Sequence, residues 1–449
     1  MLSHTRLALY ICLAFLICLA PSVSKAAKGN NPSPRASQHH LVSFTCSIPQ
    51  LETNVRAVGG SIDRIWDAIG VVRVSGLGSA DAVLLGKQIG ISVVERDIEL
   101  QWVEGFTPGK NVAVQSSQRE SASGDPSDAA FFPVQWNLEQ INAESGWNST
   151  RGHHNTRIGI LSTGISPDHV DLRGRYDLTA SINLSSSNPD NRSDYLDRHM
   201  QGTLLSALIS SNSIGIASVA PDVTLVGIKI FNDEGRASIS HIIDGLMYAA
   251  GEGNVDVINL SVDNGTIGQE FTALGEMFSV AVRHVISTGV VVVASVGNCD
   301  QKDSSPTFVN SLVSAGALVV GPTIRAVDGG YGPVACYADG ETSIRLYAPG
   351  GARDCAQDSY NSIDDMVISA LSPETARSMD LPSPDSWYVF SSGAGVSAAH
   401  VTGIAALVRT VACDASPHYV VTQLIRSVDR FADSRTGKGE VNAIFAATR

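Results

Sequence analysis

A chain of 449 residues that is 43% hydrophobic and 17% charged has room for two or three domains and a large buried core. Its formal charge of −13 excludes nucleic acid and an anionic membrane surface as principal ligands. A modest excess of glycine, 41 residues, fits a fold with many tight strand-to-helix turns.

Residues 1–26 read as a secretory signal. His4 and Arg6 precede an apolar run, Leu7–Ala20, and Ser24-Lys25-Ala26 supplies a small-x-small cleavage site. The run is too short to span a membrane. No later segment has 18 uninterrupted apolar residues, so the exported protein is expected to be soluble, without a membrane span. Of seven cysteines, Cys12 and Cys18 leave with the signal and Cys46 stands alone. Cys299, Cys336, Cys355 and Cys413 can form two disulfides in three pairings. None has metal-site spacing. N-x-Ser/Thr sequons occur at Asn148, Asn183, Asn191, Asn259 and Asn264, and Asn259 falls in an expected buried strand.

Residues 40–103 predict a small separate domain. Leu41–Cys46 is a strand, followed by a helix, strands around Ile62–Ile65 and Val71–Val74, a helix over Ser79–Lys87 and a strand over Ile91–Arg96. That order is a split β-α-β, ferredoxin-like α+β unit. Residues 104–130 then predict a flexible linker. Within it Thr107–Ala129 is rich in Ser, Gly, Pro and charge, without apolar period, and open to proteolysis.

Residues 131–449 alternate apolar strands with helices. The predicted strands are Arg157–Leu161, Thr224–Ile230, Val255–Ser261 and Gly289–Ser295. Helices are predicted over Met200–Ser210, Ser238–Ala250 and Phe271–Ser287. This is an α/β domain with a mainly parallel sheet covered on both faces. Near the end, Tyr388-Val389-Phe390 runs into the turn Ser391–Gly395 and then into a helix apolar nearly all round, which must be buried. Ligands of such sheets sit beyond the carboxyl ends of the strands, where Ser162, Asn298 and the Gly393–Gly395 turn would converge.

The motifs together resemble the subtilisin/proteinase K-like serine proteases. Ile158–Leu172 (IGILSTGISPDHVDL) is similar to the family's D-T-G-I and H-P-D-L region, with Ser162 at the catalytic aspartate. Met200–Leu225 is similar to G-H-G-T-H-V-A-G and N-x-x-G-x-x-G-V-A-P, with Gln201 at the histidine. Val290–Asn298 keeps the oxyanion asparagine as Asn298, and Ala348–Gly351 matches A-P-G-G. Gly393–Gly403 (GAGVSAAHVTG) is similar to G-T-S-M-A-A-P-H-V-A-G, with Gly395 at the nucleophile. The resemblance implies a subtilisin-like fold, an inhibitory propeptide over 40–103, calcium as a candidate ion with no assignable ligand set, and a monomer.

Acyl transfer by a triad needs a hydroxyl nucleophile, an imidazole base and an orienting carboxylate. Ser162, Gln201 and Gly395 supply none of these roles, so no catalytic set is intact. Loss of the serine or histidine alone costs on the order of 10⁶ in kcat, about 8 kcal/mol. His199, Asp197, Ser391, Ser392, Ser397, His400 and the Asp168-His169 pair were weighed as substitutes. His199 would need a register slip against Gly202-Thr203, and His400 and His169 read as core residues. The sequence therefore predicts a secreted pseudoprotease. Its partners would be polypeptide segments bound along strands equivalent to Val257–Val262, or active proteases and inhibitors, besides its own retained propeptide. The alternatives are an endopeptidase with a non-standard site and a structural or interaction protein.

Overall fold

The computed structural model of the chain describes residues 35–105, 111–115, 124–186, 188–262, 272–298, 307–326, 332–338, 344–353, 355, 362–430 and 439–443. The predicted signal, Cys299 and the sequon at Asn264 lie outside them.

The chain begins with strand β1 (Arg35–Phe44), helix α1 (Ile48–Ala57), strands β2 (Ser61–Trp66) and β3 (Val71–Ser75), helix α2 (Ser79–Leu85) and strand β4 (Ile91–Gln101). The strands stand in the order β2-β3-β1-β4, all antiparallel, which is the ferredoxin-like arrangement. β1 starts five residues earlier than position 40, and β4 extends well past Arg96. The extra residues do not end the small unit. They carry it onto the next one, where β4 pairs with β9 (Arg236–Ser238) in the register Glu99↔Ser238 to Gln101↔Arg236.

The large unit is built on a parallel sheet: β6 (Arg157–Ser162), β7 (Ile182–Asn183), β8 (Thr224–Lys229), β10 (Val257–Leu260), β11 (Val291–Ser295), β12 (Leu318–Thr323) and β13 (Leu346–Pro349), closed at one edge by the short β16 (Asp429–Arg430) and β17 (Gly439–Glu440). The order is β16-β17-β13-β12-β11-β10-β6-β8-β7. Its strands read as apolar runs because both faces are covered. α5 (Gln201–Ile209) and α10 (Ala394–Val411) share one buried cluster with Ile160, Val293 and Val320. α6 (Ile239–Ala250), α7 (Thr272–Ser287) and α8 (Thr307–Ala315) share another with Leu161, Val292 and Val319. α10 has the length and hydropathy of a membrane-crossing helix, but 83% of it is buried here inside the protein.

The small unit packs on α6 and α7, and its Trp66, Val71, Ile98, Leu100 and Trp102 join the cluster those helices form. Polar groups are matched across the contact. Asp97 is buried and accepts from Ser240 Oγ at 2.7 Å. Asp244 accepts from Trp66 Nε1 at 2.9 Å and Arg64 Nε at 3.0 Å. Arg236 Nε donates to Glu99 at 2.7 Å. Apolar area with most of its polar groups paired is what a lasting contact needs, and the exception here is the buried Nε of Arg73.

One expected loop is ordered. Within the predicted linker, Val112–Gln115 forms β5, which joins β14 (Val367–Ala370) and β15 (Trp387–Ser391) in a three-stranded antiparallel sheet. Four residues are too few to show a period of two, and the partner strand lies more than 270 positions away, so local pattern carries no trace of it.

Candidate active-site cleft

Three elements deliver the residues picked from sequence. β6 ends on Ser162, α5 begins on Gln201, and Gly395 lies in the first turn of α10. Ser162 Oγ donates to Gln201 Oε1 at 2.8 Å, with both residues buried. A Cβ added at Gly395 would stand 3.3 Å from Ser261 Cβ and 3.7 Å from Leu205. Asn298 follows β11, and its Oδ1 accepts the Ala394 N–H at 2.9 Å, holding the start of α10. Gln201, Asn298, Gly393 and Gly395 line one cavity of about 60 Å³.

The approach of α5 to β6 depends on a glycine. A Cβ at Gly202 would fall 1.9 Å from the Gly164 carbonyl oxygen, while the Gly202 N–H reaches Thr163 Oγ1 at 3.0 Å. Asp197 anchors the same corner. Its buried carboxylate accepts from the hydroxyls of Thr163 and Thr203 and from the N–H groups of His199, Met200 and Thr203. Burial works to raise its pKa, but the hydrogen bonds from Thr203 and Met200 outweigh it and hold the carboxyl below the ordinary range. Sequence gave no sign of this hub beyond an Asp upstream of Gln201.

Of the candidate substitutes, Ser391 and Ser392 line the same cavity as Gln201 and Gly395, and the others are held by different contacts. The His199 ring lies against Gly105 and Gly235; a Cβ on Gly105 would be 3.4 Å from its Nε2. Burial lowers its pKa. His400 is a core residue, with Nδ1 2.8 Å from the Val396 carbonyl and Nε2 2.8 Å from Asn137 Nδ2. His169 is buried and bonds the Trp387 carbonyl at 2.9 Å. Asp168 is exposed and Ser397 is buried in α10. Ser391 Oγ accepts from Asn111 Nδ2 at 3.0 Å. His400 and His169 are thereby engaged in the core, whereas Glu104 brings a carboxylate residue into the lining of the cavity shared by Gln201 and Gly395.

The cavity also has an occupant from its own chain. Glu104, Gly105 and Asn111 line it together with Gln201 and Gly395. On one side Trp102 is fully buried, packs its ring against Phe308 in a tilted arrangement with centroids 4.8 Å apart, and donates Nε1 to the Ala237 carbonyl at 2.9 Å. Its backbone N–H meets the Gly235 carbonyl at 3.0 Å. On the other side β5 lies on β15. The segment thus runs in along β9 and out along β15.

Two expectations are corrected. Val257–Val262 cannot add a peptide strand, because β10 is central, paired with β6 on one side and β11 on the other, and the Val262 N–H is bonded to Ser295 Oγ at 2.7 Å. Among the described residues the four-cysteine set gives the disulfide Cys336–Cys355, while Cys413 is free and exposed and Cys46 is free and half-buried; Cys299 lies outside them. Asn259 is fully buried and donates to Thr402, so its sequon is inaccessible. No group of three or more His, Cys, Asp or Glu suited to a metal occurs among the described residues, and no role is derived for calcium.

The sequence profile of the subtilase family (Peptidase S8) matches residues 153–445. The chain belongs to the subtilase family. This subtilase-family chain is 26% identical over 326 residues to a thermophilic serine proteinase of Bacillus sp. strain AK1, covering 71% of this chain and 67% of that one. It is 25% identical over 320 residues to thermitase of Thermoactinomyces vulgaris, covering 71% and 97%. The crystal structure of fervidolysin from Fervidobacterium pennivorans, a keratinolytic enzyme related to subtilisin, superposes with a TM-score of 0.70 at 19% identity. That match covers 94% of this chain but 62% of fervidolysin's length.

Proposed function

We propose that this is a catalytically inactive subtilase of the secretory pathway, in which the unit before residue 104 is a retained propeptide. The observation that carries the reading is the hydrogen bond between Ser162 and Gln201 beside Gly395. Two neutral side chains satisfy each other where a carboxylate–imidazole pair would have to stand, and the third position has no side chain. An amide does not accept a proton near neutral pH, and without a nucleophile the donors around Asn298 have no oxyanion to stabilise. The signal-like start supports export. The biological role is then binding, with active proteases or their inhibitors as partners.

The test compares purified wild type with the triple variant Ser162→Asp, Gln201→His, Gly395→Ser, by intact mass and fluorophosphonate labelling. Wild type should stay one chain through residues 104–130 and take no label. The triple variant should lose the N-terminal unit or become labelled at position 395. Labelling or self-cleavage of pure wild type overturns the reading and favours an endopeptidase with a non-standard site.

A further inference from the structure

We propose that Asn148 and Asn191 carry N-linked oligosaccharide in the exported protein, and that Asn183 and Asn259, which share the same N-x-Ser/Thr pattern, do not. The proposal rests on the preceding reading in one respect, passage through a secretory pathway.

The transfer sets the geometric requirement. The acceptor Nδ2 attacks the anomeric carbon of a lipid-diphosphate-linked oligosaccharide. A C–N bond forms, the sugar's bond to the diphosphate oxygen breaks, the lipid diphosphate departs and the amide gives up one proton. The product is bulky and hydrated, so the folded chain must hold it at the surface, on an Nδ2 that the fold does not need.

Asn148-Ser149-Thr150 meets both conditions. Asn148 caps the short helix Ala143–Trp147, and the chain leaves the helix there. Trp147 is turned inward, with its indole N–H on the Val219 carbonyl at 3.0 Å, whereas Asn148 and Ser149 are exposed. A group attached at Asn148 extends into solvent without displacing the Trp147 contact.

The sequons at Asn183 and Asn191 form an internal contrast, because they lie on two sides of one excursion of the chain: the Asn183 N–H donates to the Arg192 carbonyl at 2.8 Å. Asn183 is turned in. It lies in β7, is 6% exposed, donates Nδ2 to the Asp194 carbonyl at 2.8 Å, and accepts on Oδ1 from the N–H and the hydroxyl of Ser185. The serine of its own sequon is thus spent on holding it. Asn191 is turned out. Residues 191–194 are exposed, and the Asn191 Nδ2 approaches Ser186 Oγ at 3.4 Å, a long contact that faces solvent. Modifying Asn191 gives up that contact; modifying Asn183 breaks the clamp that closes the excursion. Asn259 is fully buried in the central strand β10, with Nδ2 on Thr402 Oγ1 of α10 at 2.9 Å, where the close-packed interior has no room for a sugar. Chains modified at 183 or 259 while still unfolded therefore drop out of the folded pool.

The experiment produces the full-length chain in a glycosylating eukaryotic host, with residues 1–26 replaced by the host's own signal. Folded protein from the medium and the cell lumen is treated with peptide N-glycosidase in heavy-oxygen water, which turns each formerly glycosylated asparagine into labelled aspartate, and is mapped by peptide mass. The expected result is label at 148 and 191 and none at 183 or 259. Asn148→Gln and Asn191→Gln should each lose one glycan's shift on a denaturing gel, and the double variant both. Absence of label at 148 or 191, or label at 183 or 259 in the folded pool, overturns the proposal. The chain with its own first 26 residues is expressed in parallel. Its failure to enter the secretory pathway counts against the export reading, while the sites are judged on the first form, so the two failures are distinguishable.

Discussion

Ser162 and Gln201 meet as two uncharged groups: the hydroxyl donates at 2.8 Å to the amide oxygen. A single reversion therefore introduces charge without its partner. Ser162→Asp places a carboxylate at a fully buried position against the neutral Gln201 amide, with its cross-strand neighbour Lys229 already paired to Asp233, and should cost about 2 kcal/mol in urea denaturation at neutral pH. Adding Gln201→His should recover about 1 kcal/mol or more, because an imidazolium then faces the carboxylate. A double-mutant cycle with no coupling would show that the two side chains do not form a unit.

Trp102 is the largest fully buried side chain and belongs to the segment that crosses the cleft. Trp102→Ala should cost about 3–5 kcal/mol of stability and free the Ala237 carbonyl of its partner. A loss below about 1 kcal/mol would mean that the segment is not seated as described.

The close approach at Gly202 leaves no room for a methyl group, since a Cβ there would overlap the Gly164 oxygen. Gly202→Ala should therefore destabilise by several kcal/mol, or prevent folding, even though alanine favours helices. At Gly395 the neighbours have to yield only a few tenths of an ångström, so Gly395→Ala should change stability by about 1 kcal/mol or less. Thermal denaturation of the two variants side by side checks the contrast.

His400 sets a pH dependence. The Val396 carbonyl can only accept, so Nδ1 carries the ring proton and Nε2 accepts from Asn137. Burial pushes its pKa from 6.5 down to about 4. The folded value lies below the unfolded one, so the neutral form is the one the fold holds. This contribution is complete above about pH 6.5 and is withdrawn as pH falls toward 4, by about 3 kcal/mol for the full drop. His400→Gln should flatten the stability profile between pH 7.5 and 4 by about that amount; an unchanged slope would assign the acid sensitivity elsewhere.

The Cys336–Cys355 disulfide closes a loop of 19 residues beside the cleft, with Arg353 inside the loop and lining the cavity. Reduction should lower stability by about 3 kcal/mol. Under native conditions an alkylating reagent should modify Cys413 faster than Cys46, and neither Cys336 nor Cys355 before reduction. Peptide mass mapping reads both.

Much of the large unit was legible in the sequence because its signals are local. Continuous apolar strands such as Val291–Ser295, glycine-bearing turns and the all-apolar α10 each state their own surroundings. The convergence of Ser162, Asn298 and the Gly393–Gly395 turn follows from where strands end. What stayed hidden depends on contacts across long separations. β5 has four residues and a partner near position 390. Asp197 looks like any loop aspartate until five donors surround it. Trp102 looks like the tail of a strand until Phe308 and Ala237 enclose it. The choice of β10 as a peptide-binding edge failed for the same reason: only the sheet order shows that both its sides are paired.

The presence of Glu104, Gly105 and Asn111 in the lining of the cavity has a consequence for any competitor. A tethered segment acts on its site at an effective concentration that is commonly millimolar for short connections, whereas a free peptide acts at its own concentration. A peptide of micromolar affinity, present at micromolar levels, therefore takes a negligible share of the site. Partners of this protein must address the outer faces of the molecule, or bring enough binding energy to lift two strands at once.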